Sequence, residues 1–195
     1  MPASLARALL VAAACAASLL PSPGGAASDH LTIGSERGSM DFFIGDSLIF
    51  RTTGGFKSWE GTIKVDELDI TKSSVEVVVH TSSIEMLDKQ QTMMLREPEF
   101  FDVEKFPEMT YRSTAIERLN ADTLKVEGEI TLRGITRPMT LEAKMIDRIL
   151  DAAPGKRTAT FRAEGSLKRS EFGMIKYIDL VGDKVDIAIH TDAWR

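Results

Sequence analysis

Cysteine is almost missing from this chain of 195 residues. The one cysteine, Cys15, falls in the N-terminal leader, so the body of the protein has no disulfide and no thiol for metal or nucleophilic chemistry. Histidine is nearly as scarce. His30, His80 and His190 lie far apart without H-x-x-x-H spacing, and His80 and His190 fall on polar strand faces, where solvated histidines are ordinary. No G-x-S-x-G elbow is present. Gly54-Gly55 and Gly134 lack the following helix that a phosphate-binding loop requires. These gaps leave no catalytic residue and no metal ligand to name. A basic stripe is lacking too: 24 basic residues face 29 acidic ones, a formal charge of −5, which argues against nucleic acid. No apolar run reaches the ~20 residues of a membrane-spanning helix.

The longest apolar run occupies residues 8–20. It follows Arg7 and leads into Pro21-Ser22-Pro23-Gly24-Gly25-Ala26-Ala27. One basic residue, a short apolar core and a small-residue exit describe a secretory signal peptide. The expected division is a signal peptide over 1–27 and one domain over 28–195, in a periplasmic or secreted protein. Ala12 stands where a lipoprotein site would carry Leu, so Cys15 is not read as a lipid-modified residue.

What the chain has in abundance is a period of two. In the stretch 124–145, Leu124, Val126, Gly128, Ile130 and Leu132 alternate with charged and polar residues. After a break at 133–138 the pattern resumes with Met139, Leu141, Ala143 and Met145. Such alternation gives each strand one dry face and one wet face. Gly134 permits a bend, and Pro138, without a donor, belongs at a rim or edge. The same alternation runs through 62–66, 74–81, 109–115, 159–168 and 184–191, with turn residues at 69–74, 120–122, 151–155 and 182–183. About eight antiparallel strands without intervening helix-period segments make an all-β sandwich or an up-and-down barrel.

Residues 83–96 break the pattern with helix-friendly residues, and Ser82 with Glu85 has the spacing of a capping box. Beyond them Phe100, Phe101 and Phe106 stand between Pro98 and Pro107. Aromatics in such a segment need an apolar surface, and the end of the sheet supplies one. A short helix and an aromatic loop are therefore expected across one mouth of a barrel.

A set of short motifs follows in order along the chain: Ser39-Met40-Asp41-Phe42, Gly55-Phe56-Lys57-Ser58-Trp59, Thr81-Ser82-Ser83-Ile84 and Glu99-Phe100-Phe101-Asp102-Val103. The stretch 128–141 and Lys168-Arg169-Ser170-Glu171-Phe172-Gly173-Met174 complete the set. In this order they resemble the YceI-like family of exported lipid-binding proteins over nearly the whole mature chain. The resemblance implies an antiparallel lipocalin-like barrel with a long apolar pocket for a polyisoprenoid or similar amphiphile, with no metal or redox cofactor. The polar positions depart from the family pattern. Arg37-Gly38 and Gly45-Asp46 replace two polar pairs, and Gln91, Thr92 and Met94 replace others in the helix.

A dry barrel interior favours a lipid tail, each buried CH₂ being worth about 0.8 kcal/mol. The residues expected to line the pocket are Phe42, Ile44, Phe50, Phe56, Leu95, Phe100, Phe101, Met109, Ile135, Met139, Phe172 and Met174. Arg96, Arg137 and Arg169 are the candidate contacts for an anionic head group. Two other readings stay open: an enzyme acting on a lipid in the same pocket, and a filled structural module of the cell envelope. An exposed aromatic rim suits a transient membrane contact, a second copy in a homodimer, or the barrel itself.

Overall fold

The computed structural model describes residues 29–45, 52–149 and 152–195. The leader, Asp46 and Phe50 lie outside the described residues. Eleven strands form among those described: β1 (Asp29–Gly34), β2 (Gly38–Ile44), β3 (Thr52–Phe56), β4 (Trp59–Val65), β5 (Ser74–His80), β6 (Ile84–Met86), β7 (Glu108–Arg118), β8 (Thr123–Leu132), β9 (Ile135–Arg148), β10 (Arg157–Lys168) and β11 (Lys184–Trp194).

Eleven segments reduce to eight walls. β1 and β2 pair with successive parts of β11, so they are halves of one bent strand. β3 and β4 pair with β2 and β1 respectively, and β6 and β5 pair with β3 and β4. From β5 the meander runs through β7, β8, β9 and β10 back to β11, antiparallel throughout. The Thr32–Trp194 pair of β1 and β11 closes the circle. An antiparallel barrel of eight strands results, as the period of two implied.

The bends line up in a crease. Ser35 N–H donates to Trp59 O at 3.0 Å, Lys57 N–H to Ser83 O at 3.1 Å, and His80 N–H to Ser58 O at 3.0 Å. Phe56, Trp59, Thr81 and Ile84 are buried along this line. Two of the short motifs read from the sequence, at 55–59 and 81–84, are therefore the crease itself.

Local chemistry explains the other breaks. The β8–β9 turn is two residues, Arg133 at φ 53° and Gly134 at φ 73°, the signature of a tight hairpin matched to strand twist. The expected break over 133–138 is thus shorter, and Pro138 lies inside β9. β10 pairs with β9 only as far as Leu141, so the missing N–H of Pro138 faces no ladder from that side.

The helix starts later than the capping-box spacing suggested. Ile84 and Met86 are buried in β6 against Phe56 and Gly54, and that burial outweighs the spacing of Ser82 and Glu85. Helix α1 (Lys89–Arg96) is capped instead by Asp88, whose carboxylate accepts from Gln91 N–H at 2.9 Å. A single-turn helix α2 (Ile178–Val181) lies near the start of β11.

Candidate functional site: two apolar cavities in one barrel

Where β6 ends short, α1 and the aromatic loop after it cover the wall between β6 and β7. Arg133 of the hairpin donates to the carbonyls of Pro98, at 2.8 Å, and Phe100. Phe101 N–H donates to Leu95 O at 3.0 Å. Phe106 packs over Gly134, where a β-carbon would lie 3.1 Å from its ring. The loop is thereby fixed to the β8–β9 hairpin.

Beneath it lies a proximal cavity of about 160 Å³. Of the expected pocket residues, Phe42, Ile44, Phe56, Leu95, Phe100, Phe101, Met109 and Met174 line it. Phe42 and Phe56 rings stand 5.8 Å apart, and Phe101 meets Phe56 edge-on at 5.6 Å, a geometry aromatic pairs favour. Ile135, Met139 and Phe172 line neither cavity. Phe172 is 1% exposed and serves as packed core, Met139 is buried in the barrel wall, and Ile135 is half-buried beside the hairpin turn. Sequence reasoning omitted Met40, Met86, Ile130, Leu132, Val185 and Ile187, which also line the cavity. The inward alternation of β8 and β11 carried the signal for four of them.

The three arginines separate. Arg96 is exposed and donates to Ile84 O at 3.2 Å; Arg137 is exposed and donates to Thr136 O at 3.0 Å. Neither lines the proximal cavity or the distal one. Arg169 does, and it is only 4% exposed. Its Nε donates to Gly182 O at 2.8 Å, and Nη1 to Met174 O at 3.0 Å and Lys176 O at 2.8 Å, while Nη2 is buried without a partner. Desolvation pulls this guanidinium below its ordinary pKa, against the opposing charge of Asp183. Desolvation also resists ionisation of Asp183, but two hydrogen bonds from Ser170 and the nearby cations hold its carboxyl below the usual range.

The altered polar positions find local roles. Arg37 sits over the Trp194 ring at 4.7 Å and donates to Gly155 O at 3.2 Å. Thr92 accepts from Met86 N–H at 2.9 Å and donates to Asp88 O at 3.0 Å, tying α1 to β6. Gln91 and Met94 line the cavity. At its mouth Lys176 donates to Glu99 at 2.9 Å, and that hydrogen bond lowers the Glu99 pKa and raises that of Lys176.

At the opposite end of the barrel is a larger distal cavity of about 500 Å³. Its wall includes Leu31, Ile33, Val77, Tyr111, Val126, Leu141 and Phe161, and its lining also holds Asp29, Glu67, Arg118, Asp122, Arg148 and Arg195. Arg195 bonds Asp29 through Nε at 2.8 Å, and Arg148 stands 3.7 Å from Glu67. Small-molecule pockets typically span about 300–1,000 Å³. The distal cavity falls in that range and the proximal one does not. Sequence reasoning named none of the distal residues as site. Tyr111 is buried there; its hydroxyl donates to Val126 O at 3.0 Å and lies 3.4 Å from Met139 O. Burial, with a smaller push from the charge of Glu127, raises its pKa to about 12. Among the described residues, no group of three or more His, Cys, Asp or Glu is placed to hold a metal ion.

Residues 31–193 match the family described as the YceI-like domain. This chain belongs to that family. Protein YceI of Salmonella arizonae is 34% identical over 139 residues, 71% of this chain and 72% of that protein. Burkholderia cenocepacia BcnA has a similar fold, with TM-score 0.69 and 22% identity over 81% of this chain and 96% of its own. A polyisoprenoid binding domain from Saccharophagus degradans, implicated in plant cell wall breakdown, superposes with TM-score 0.60 at 10% identity, over 86% and 98% of the two chains. The YceI-like barrel is thus shared, and the motifs that announced it are its crease, its loop anchor and its Arg169 turn.

Proposed function

We propose that this protein is an exported, periplasmic or secreted binding protein that holds an isoprenoid or similar long-chain amphiphile inside its barrel. One observation carries the reading: a closed wall of eight strands encloses two apolar cavities beyond what its own side chains fill. Small barrels ordinarily pack their interiors or hold one small ligand. The binding of a polyisoprenoid by a domain of similar fold supports the choice of ligand, and the leader at 1–27 supports export. Carriage is favoured over catalysis by the lining. Facing the proximal cavity, the titratable Asp41, Arg169, Lys176 and Tyr177 share no side-chain hydrogen bond, and at the distal cavity the carboxylates of Asp29 and Glu67 are each taken up by an arginine. In the larger distal cavity Leu31, Ile33, Val77, Leu141 and Phe161 would contact the chain, while Phe42, Phe56, Phe100, Phe101 and Met174 would meet any apolar group that reaches the proximal one.

Organic extraction of protein purified from its native compartment, followed by mass spectrometry, tests this. A stoichiometric apolar lipid is expected, and apo protein should take up added polyprenyl lipid. Neither lipid nor uptake would select the ligand-free envelope module instead.

A further inference from the structure

The two cavities share no lining residue. Along β7, Met109 faces the proximal cavity and Tyr111, the next inward residue, faces the distal one. On β11 the same step falls between Ile187 and Ile189, and on β8 between Ile130 and Val126, with Gly128 between them. The boundary therefore crosses the lumen at one level rather than wandering along it.

Two glycines mark that level. A β-carbon at Gly128 would lie 2.5 Å from Tyr111 Cζ, and one at Gly165 would lie 2.7 Å from Leu141 Cδ2 and 3.1 Å from Met139 Cε. Large side chains from neighbouring strands occupy the space these glycines leave. Tyr111 is also held at its tip, by Val126 O on β8 and Met139 O on β9. Swinging it aside would strip a buried hydroxyl of its acceptor, which an apolar ligand cannot replace.

We infer that Tyr111, seated on Gly128 and backed by Met139, is a fixed stop that divides the lumen and sets the length of chain the protein accepts. The inference rests on the lipid-binding reading and sharpens its ligand. The distal compartment takes a compact isoprenoid amphiphile, with its tail ending against Tyr111 and its polar group among Asp29, Glu67, Arg148 and Arg195. Those rim charges pair with one another, so a neutral or zwitterionic head fits better than a strongly anionic one. A chain longer than the compartment is held only along the part that fits.

The test is a length series: geraniol, farnesol, geranylgeraniol and solanesol titrated into the delipidated full-length mature protein. Affinity should rise by a factor on the order of a hundred or more per isoprene unit while the chain fills the compartment, then level off. In Tyr111→Ala the break should move to a longer alcohol, and in Tyr111→Phe, which keeps the ring, it should stay. Met139→Ala opens the same level from the other side and replaces Tyr111→Ala if that variant fails to fold. A wild-type affinity that climbs through solanesol overturns the stop, as does a break that neither opening variant shifts. Failure of every alcohol to bind overturns the lipid-binding reading itself, and the stop with it.

Discussion

The proximal and distal halves of this barrel are built from the same eight walls by opposite means. The proximal half is irregular: a crease, a helix, an aromatic loop and a buried arginine crowd around a cavity of about 160 Å³. The distal half is mostly ladder, with one 3-10 turn at Ile70–Lys72, yet it encloses about 500 Å³. Irregular segments can reach inward and fill space, whereas regular strands hold their side chains at the wall. Ornament therefore marks the fuller end, and the emptier end is where the sequence looks plainest.

Three measurements would break or sharpen that contrast. Removing bulk from the filled half should cost most. Phe172 is 1% exposed, so Phe172→Ala should lose about 3–5 kcal/mol in denaturant unfolding. Leu141 already fronts the distal void, so Leu141→Ala should fall near the lower end of its class, about 2 kcal/mol. Equal losses would mean that the distal wall is as tightly packed as the proximal core.

The next effect is alkaline. Tyr111 has a folded pKa of about 12 against an ordinary 10.0. The native state therefore keeps a proton that the unfolded chain gives up. Its contribution is fully present below about pH 10 and is lost as pH rises toward about 12, on the order of 2–3 kcal/mol. Tyr111→Phe should lose about 1 kcal/mol near neutrality and most of this alkaline slope. An unchanged slope in that variant would place the titrating group elsewhere.

The smallest effect concerns the proximal turn. Arg169→Lys replaces a three-acceptor fork by a point charge, leaving the carbonyls of Met174 and Lys176 short of a donor. A loss of about 1–2 kcal/mol is expected, with the distal chain-length break unmoved. A shifted break would join the two halves energetically.

Much of the fold was legible because burial on one face imposes a period of two. The stretch 124–145 declared β8 and β9, and Gly134 declared their turn. Arg133 did not, since nothing in its chemistry signals a positive φ. The helix was legible in kind but misplaced at its start, because the burial of Ile84 and Met86 is a tertiary fact. Phe100 and Phe101 were legible as lining through their awkwardness in a proline-flanked segment. Phe172 carried the same hydrophobicity without facing the lumen, and composition cannot tell a plug from a wall. The distal cavity was invisible for a further reason. Alternation reports which side chains point inward, but not whether they meet.

The Thr32–Trp194 contact bears on how the molecule assembles. It joins the first described strand to the last, and β11 must also supply the edge for β2. Each hairpin from β7 to β10 can zip locally as it emerges, but the circle closes only between the first and last described strands. Contacts so distant in sequence slow folding, so this seam is expected to close late. Until β11 docks, β1 and β2 lack their shared neighbour, and the apolar lining of the lumen is an open, sticky sheet.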